Sequence, residues 1–155
     1  MKIKYKHQGF QVEAARNVVR AFEGQPYCDG ANYIMDWGAQ KQLFGTGFGN
    51  APLKLDHCDI KENVRTIQME QGLKPIDHLE GEGINLTIEM ETGTGKTYTY
   101  IKTMYELNKH YGWSKFIIVV PSVAIREGVF KSFESMQDHF AHEYGKRMQL
   151  SLIHI

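Results

Sequence analysis

The sequence predicts an α/β fold with a parallel sheet. Ile84, Leu86 and Ile88 alternate with Asn85, Thr87 and Glu89, the period of a strand with one buried face. Phe116-Ile-Ile-Val-Val120 is an unbroken apolar run, as expected of a strand buried on both faces of a parallel sheet. A helical pattern follows each of them. The order strand, loop, helix, strand, helix calls for a right-handed crossover and a parallel layer.

The elements follow in chain order. Phe10, Ala14, Ala15, Val18, Val19 and Phe22 recur at three- and four-residue spacing before Gly24, which predicts an amphipathic helix with a stop signal. From Gly24 to Asn50 the chain is glycine-rich, with Gly45, Gly47 and Gly49 close together and no sustained period, and reads as loop. Asp59 can cap a short helix with Glu62 three residues on, Ile60, Val64 and Ile67 on one face, and Gly72 then Pro75 closing it. After the first strand, Tyr98, Ile101 and Tyr105 share a helical face up to Gly112. Pro121 ends the second strand, and Val129, Phe133, Met136 and Phe140 predict a further helix packed on the sheet.

Composition narrows the functional classes. A chain of 155 residues that is 42% apolar and 23% charged can bury a core and is about one domain long. Eighteen basic against eighteen acidic residues give zero net charge, so no global field recruits nucleic acid or an anionic membrane, and any DNA contact is local. The charge is nonetheless uneven. Lys2, Lys4, Lys6, Arg16 and Arg20 make a basic first end, whereas Asp77, Glu80, Glu82, Glu89 and Glu91 cluster ahead of and within the first strand as a solvated face. No apolar run approaches the ~20 residues that cross a bilayer, and nothing resembles a signal peptide, so the expected compartment is the cytoplasm. Cys28 and Cys58 lack metal-knuckle spacing and fit a reducing environment.

The chemistry concentrates between the first strand and its helix. In Thr92-Gly-Thr-Gly-Lys-Thr97 two glycines can take positive φ, so the backbone N–H groups of residues 93 to 97 can converge on an anion. Lys96 would reach the β- and γ-phosphates of a nucleotide and the Thr97 hydroxyl would ligate Mg²⁺, with the following helix dipole adding positive potential. The general pattern GxxxxGK[ST] has glycine where this chain has Met90. Phosphoryl transfer also needs a carboxylate to hold Mg²⁺ and a group to position the attacking water, and no Asp-Glu pair ends an apolar strand after Thr97. His139 with His142, and Asp56-His-Cys-Asp59, fall short of a structural zinc site in ligand count.

Met90-Glu-Thr-Gly-Thr-Gly-Lys-Thr97 resembles motif I of superfamily 2 helicases, which tolerate a non-glycine first position. Ile88 to Tyr98, Glu106-Leu-Asn-Lys109 and Phe116 to Val129 together resemble the restriction subunit of type III restriction-modification enzymes over about residues 59 to 140. Asn63-Val-Arg-Thr-Ile-Gln68 and Phe10-Gln11 are weaker parts of the same likeness. The resemblance implies the start of a RecA-like motor domain, cut before completion, that binds ATP and Mg²⁺ and acts on double-stranded DNA beside a methyltransferase partner, with no membrane role. It assigns Thr92, Gly93, Thr94, Gly95, Lys96 and Thr97 to the nucleotide, with Lys96 and Thr97 catalytic. It also gives Phe10 to adenine stacking, Gln11 to the adenine edge, and Pro121, Ser122 and Arg126 to the DNA backbone. Beside the DNA role, Ser122 also suits an ordinary N-cap and Arg126 a solvated face.

The implied organisation is an N-terminal helix with the Phe-Gln pair over 1–24, a loop-rich insertion with a short helix over 25–83, the start of the ATPase domain over 84–149, and a non-native tail over 150–155. On this reading the chain is an N-terminal fragment, inactive alone because the Asp-Glu motif and nuclease carboxylates lie elsewhere. Another superfamily 2 helicase fragment, or a module that binds nucleotide without hydrolysing it, are the alternatives.

Overall fold

A computed structural model describes residues 5, 8–28, 50–79 and 83–152. The glycine-rich stretch 29–49 and the last three residues lie outside the described residues. Four helices form among those described: α1 (Gly9–Ala21), α2 (His57–Glu70), α3 (Lys96–Tyr111) and α4 (Val123–Tyr144).

Helix α3 is the axis of the packing. Tyr98, Ile101, Met104 and Tyr105 form a core with Phe133, Met136 and Phe140 of α4, while Leu107 and Tyr111 form a second cluster with Val19 of α1. Both flanks of α3 are therefore covered, and α2 packs on α1. The Tyr111 hydroxyl donates to the Val19 carbonyl at 2.8 Å, which gives the α1 contact a fixed register as well as apolar area. Gly112 caps α3 in the left-handed conformation and Gly145 does the same for α4, as glycine at that position favours.

One cationic group is buried in the α3–α4 seam. The Lys102 side chain is only 4% exposed, and its ammonium donates to Glu143 Oε1 at 2.5 Å and to the Tyr144 hydroxyl at 2.9 Å. Tyr144 in turn donates to Glu106 Oε1 at 2.6 Å. A buried charge is tolerated only when it is paired and hydrogen-bonded in this way. Burial pushes the Tyr98 phenol up to about 12, with the Glu143 charge adding to it, and burial followed by the bond to Glu106 pushes Tyr144 up further.

The expected α/β class, a partial RecA-like domain on a parallel sheet, is not what the described residues form. They are helical, with no strand and no sheet, and both 84–90 and 116–120 run without regular structure. A strand exists through ladder bonds to a neighbour, and no described segment supplies them. The apolar run instead buries one face. Phe116 and Ile118 pack against the α3–α4 core, while Ile117 and Val119 are 91% and 82% exposed. Leu86 and Ile88 are exposed as well. Periodicity reports what a segment can bury, and here helices cover one side of it.

Side-chain amides do part of the work that ladder bonds would do. Asn50 Oδ1 accepts from the N–H groups of Ser114 and Lys115 at 2.9 and 2.8 Å, and its Nδ2 donates to the Lys115 carbonyl at 2.7 Å. That fixes the entry to 116–120. The N-terminus of α2 also differs from expectation. Asp56, not Asp59, is the N-cap, accepting from Cys58 and Asp59 N–H, while Asp59 Oδ2 accepts from Asp56 N–H in a reciprocal capping box. An Asp at the third helical position serves as Glu does, so the helix begins three residues earlier. No helix among the described residues is long and apolar enough to cross a membrane.

Two outcomes follow from this packing. In urea unfolding Phe140→Ala, which empties a fully buried site, costs about 3–5 kcal/mol, while Ile117→Thr stays within about 0.5 kcal/mol of the parent chain; a comparable loss in both would mean that Ile117 is covered. For Tyr98 the neutral phenol is favoured in the fold, so its contribution is complete below pH 10.0, its ordinary value, and is lost as pH rises toward about 12. Stability therefore falls across that alkaline window, and Tyr98→Phe makes the fall shallower; a pH profile of urea unfolding unchanged in Tyr98→Phe would contradict it.

Candidate phosphate-binding site

The loop between residue 90 and α3 is shaped by three local features. Thr94 closes a turn on Glu91, its N–H and hydroxyl reaching the Glu91 carbonyl at 3.4 and 2.6 Å. Gly93 (φ 81°) and Gly95 (φ 83°) both lie in the left-handed region, where a Cβ costs about 1–2 kcal/mol. Gly95 is also the N-cap of α3, with its carbonyl accepting from Thr99 N–H at 3.1 Å. The loop thus runs straight into a helix N-terminus whose first turn carries no acidic residue. The first-turn N–H groups and the dipole of a helix favour an anion.

Around this turn the expected nucleotide residues are placed as follows. Thr92 and Lys96 are exposed, Lys96 being the first residue of α3, and Thr97 is half-buried beside it. Burial pushes the phenol of Tyr100, one turn further along, above its ordinary value, with Thr97 opposing. Thr99 and Thr103 turn their hydroxyls onto backbone carbonyls one turn back, so these buried threonines are internally satisfied.

Gln11 is brought to the loop although it lies 83 positions away along the chain. Its Nε2 donates to the Thr94 carbonyl at 2.8 Å, and the side chain is 8% exposed. A Cβ added to Gly95 would come within 2.5 Å of that same nitrogen. Phe10, the residue before it, is 48% exposed at the start of α1. The contact between Gln11 and the loop backbone is the feature sequence reasoning missed; its signal was the apolar face of α1, which had to pack on the helix that the loop precedes.

The residues assigned to DNA gather at the other helix start. Pro121 and Ser122 are exposed, Ser122 Oγ accepts from Ile125 N–H at 3.3 Å as the N-cap of α4, and Arg126 is half-buried with Nη2 on Glu127 Oε1 at 3.0 Å. The N-cap role of Ser122 is therefore present in the fold.

A glycine turn leading into a helix, with helices packed on both flanks of that helix, is a local arrangement; the family is decided by the sequence as a whole. The family model for the type III restriction enzyme, res subunit, matches residues 5–151. The chain belongs to this family. Its members include the Res subunit of the type III restriction-modification enzyme EcoP15I from Escherichia coli, 36% identical over 107 residues, which are 67% of this chain and 11% of that protein. The EcoPI Res subunit from Escherichia phage P1 is 33% identical over the same shares of the two chains. The StyLTI Res subunit of Salmonella typhimurium is 47% identical over 72 residues, 44% of this chain and 7% of that one. The chain spans about a tenth of the length of the curated relatives it matches. The family is one of restriction enzymes, and the loop and its flanking helices make up a small part of such a protein.

The two loop glycines differ in their surroundings, and that difference is measurable. Gly93 has open space where a Cβ would stand, and Gly95 has Gln11 there. Gly93→Ala costs about 1–2 kcal/mol from its backbone conformation alone, and Gly95→Ala costs more because it also displaces Gln11. Equal losses in urea unfolding would show that Gln11 does not pack against Gly95.

Proposed function

We propose that this chain is the nucleotide-binding portion of a type III restriction subunit, holding the phosphates of Mg²⁺·ATP at residues 92–97. The observation that supports the reading best is the pair of left-handed glycines, Gly93 and Gly95, set directly before the N-terminus of α3 with Lys96 in its first position. Such an arrangement would bring backbone donors, a helix dipole and an ammonium to one anion. The N–H groups of residues 93–97 would hold the phosphate oxygens and Lys96 would compensate their charge. Thr97 would offer its hydroxyl to Mg²⁺, which when bound neutralises charge on the β- and γ-phosphates. Phe10, exposed at the start of α1 beside Gln11, is available to stack on the adenine ring.

In the whole protein this site would drive an ATP-dependent motor acting on double-stranded DNA, coupled to DNA cleavage and working with a methyltransferase subunit. Ser122 and Arg126 would meet the DNA backbone there. The chain as given carries no Asp-Glu pair ending an apolar strand after Thr97, so binding without turnover is the activity proposed for it alone.

Calorimetry tests the reading. Mg²⁺·ATP binds the chain, and Lys96→Ala weakens it by at least tenfold, consistent with the loss of a charge-assisted bond to phosphate worth roughly 1.5–3 kcal/mol. Unchanged affinity in Lys96→Ala would remove the phosphate loop from the explanation. ATPase turnover with DNA added stays at the level of the Lys96→Ala control.

A further inference from the structure

Gln11 lies against the loop in a way that base recognition does not require. Its side chain is buried on α1, and its amide nitrogen is committed to the carbonyl of Thr94, within the loop itself. The structure has no cis peptide bond among its described residues, so the Thr94–Gly95 peptide is trans. In a trans peptide the C=O and N–H point to opposite sides of the chain. A donor that holds the Thr94 carbonyl on the α1 side therefore holds the Gly95 N–H on the side away from α1.

This peptide needs such a hold. Turning it over requires rotation at Thr94 ψ and Gly95 φ, and glycine accepts the rotated value with little steric penalty. After a flip the loop would present a carbonyl oxygen where it had presented an N–H, exchanging a donor for an acceptor in front of an anion. The other anchor in the turn, Thr94 on Glu91, fixes the N–H and hydroxyl of Thr94 and leaves its carbonyl to Gln11.

We propose that Gln11 is a positioning residue that locks the Thr94–Gly95 peptide with its N–H available to phosphate, so that the packing of α1 on α3 sets the donor pattern of the loop. The proposal rests on the nucleotide-binding reading for its consequence and on the loop geometry for its cause. Its ligand is the polyphosphate and not the base. Recognition of the adenine edge, the role that resemblance gave Gln11, makes the opposite prediction about selectivity.

The test has two arms on the full chain. Gln11→Met keeps volume without a donor, and Gln11→Leu removes the amide with a similar apolar bulk; either one that retains the α4 amide spectrum of the parent is usable. In nuclear magnetic resonance of the nucleotide-free protein, the Gly95 amide is rigid in the parent, with an order parameter near roughly 0.85, and in the variants falls below roughly 0.6 or gains relaxation dispersion from peptide exchange. A Gly95 amide as rigid in the variants as in the parent overturns the lock. In calorimetry the variants weaken Mg²⁺·ATP, Mg²⁺·GTP and Mg²⁺·tripolyphosphate by the same factor, roughly tenfold for one lost hydrogen bond. Loss confined to ATP, with tripolyphosphate unchanged, overturns the proposal in favour of base reading. If the parent binds none of the three, the nucleotide-binding function fails, while the resonance arm still decides whether Gln11 holds the peptide.

Discussion

The burial of α3 is the constraint on which the rest of the structure depends. A helix with both flanks covered has one allowed position, and its first residue, Lys96, directly follows the loop. The apolar contacts of Tyr98, Ile101 and Tyr105 with α4 and of Leu107 and Tyr111 with α1 therefore place the loop as well as the core. Packing of this kind tolerates little displacement, since interiors are close-packed and respond to changes of a single methylene. The position of the loop is thus set by side chains of the helix core.

Polar groups inside the seam work in the same direction. Lys102 joins Glu143 and Tyr144, and Tyr98 contacts His139 at 3.2 Å while its ring lies on Phe140. Such contacts are geometrically exacting where apolar packing is permissive, and they fix the register of α4 along α3. By contrast, the two-pronged pair of Arg20 with Glu70, at 2.5 and 2.8 Å, is a surface contact between α1 and α2. The bond to Glu70 raises the Arg20 pKa and the bond to Arg20 lowers that of Glu70. Exposed pairs of this type contribute little to stability, so the arrangement of α1 rests on Val19 and Tyr111.

All four helices were legible in the sequence because each buries a stripe at helical spacing and ends at glycine or a turn. The glycines that follow the four helices, Gly24, Gly72, Gly112 and Gly145, all carry positive φ. The two strands were read from equally regular patterns and did not form. A helix closes its own hydrogen bonds, whereas a strand depends on a neighbour that local periodicity cannot supply. At 116–120 the unbroken apolar run, which predicts burial on both faces, buries only Phe116 and Ile118 and leaves Ile117 and Val119 exposed, because helices cover one side of it and no neighbouring layer covers the other. Of the candidate site the loop conformation was legible, since Gly93 and Gly95 take the positive φ their type permits. The link from Gln11 to Thr94 was not, because it is a tertiary contact between distant positions, and a residue's assignment by resemblance says nothing about which atom its amide holds.

Gln25 joins the chain that leaves α1 to the chain that approaches α2. Gln25, buried, donates to the Pro52 carbonyl at 3.2 Å and accepts from Lys54 N–H at 2.8 Å, bringing the outgoing and returning chain together. Through Gln25 the chain that leaves α1 and residues 52–54 are held together. Gln25 thus acts as a hem. It couples the end of α1 to the approach to α2, so the two helix ends share one edge.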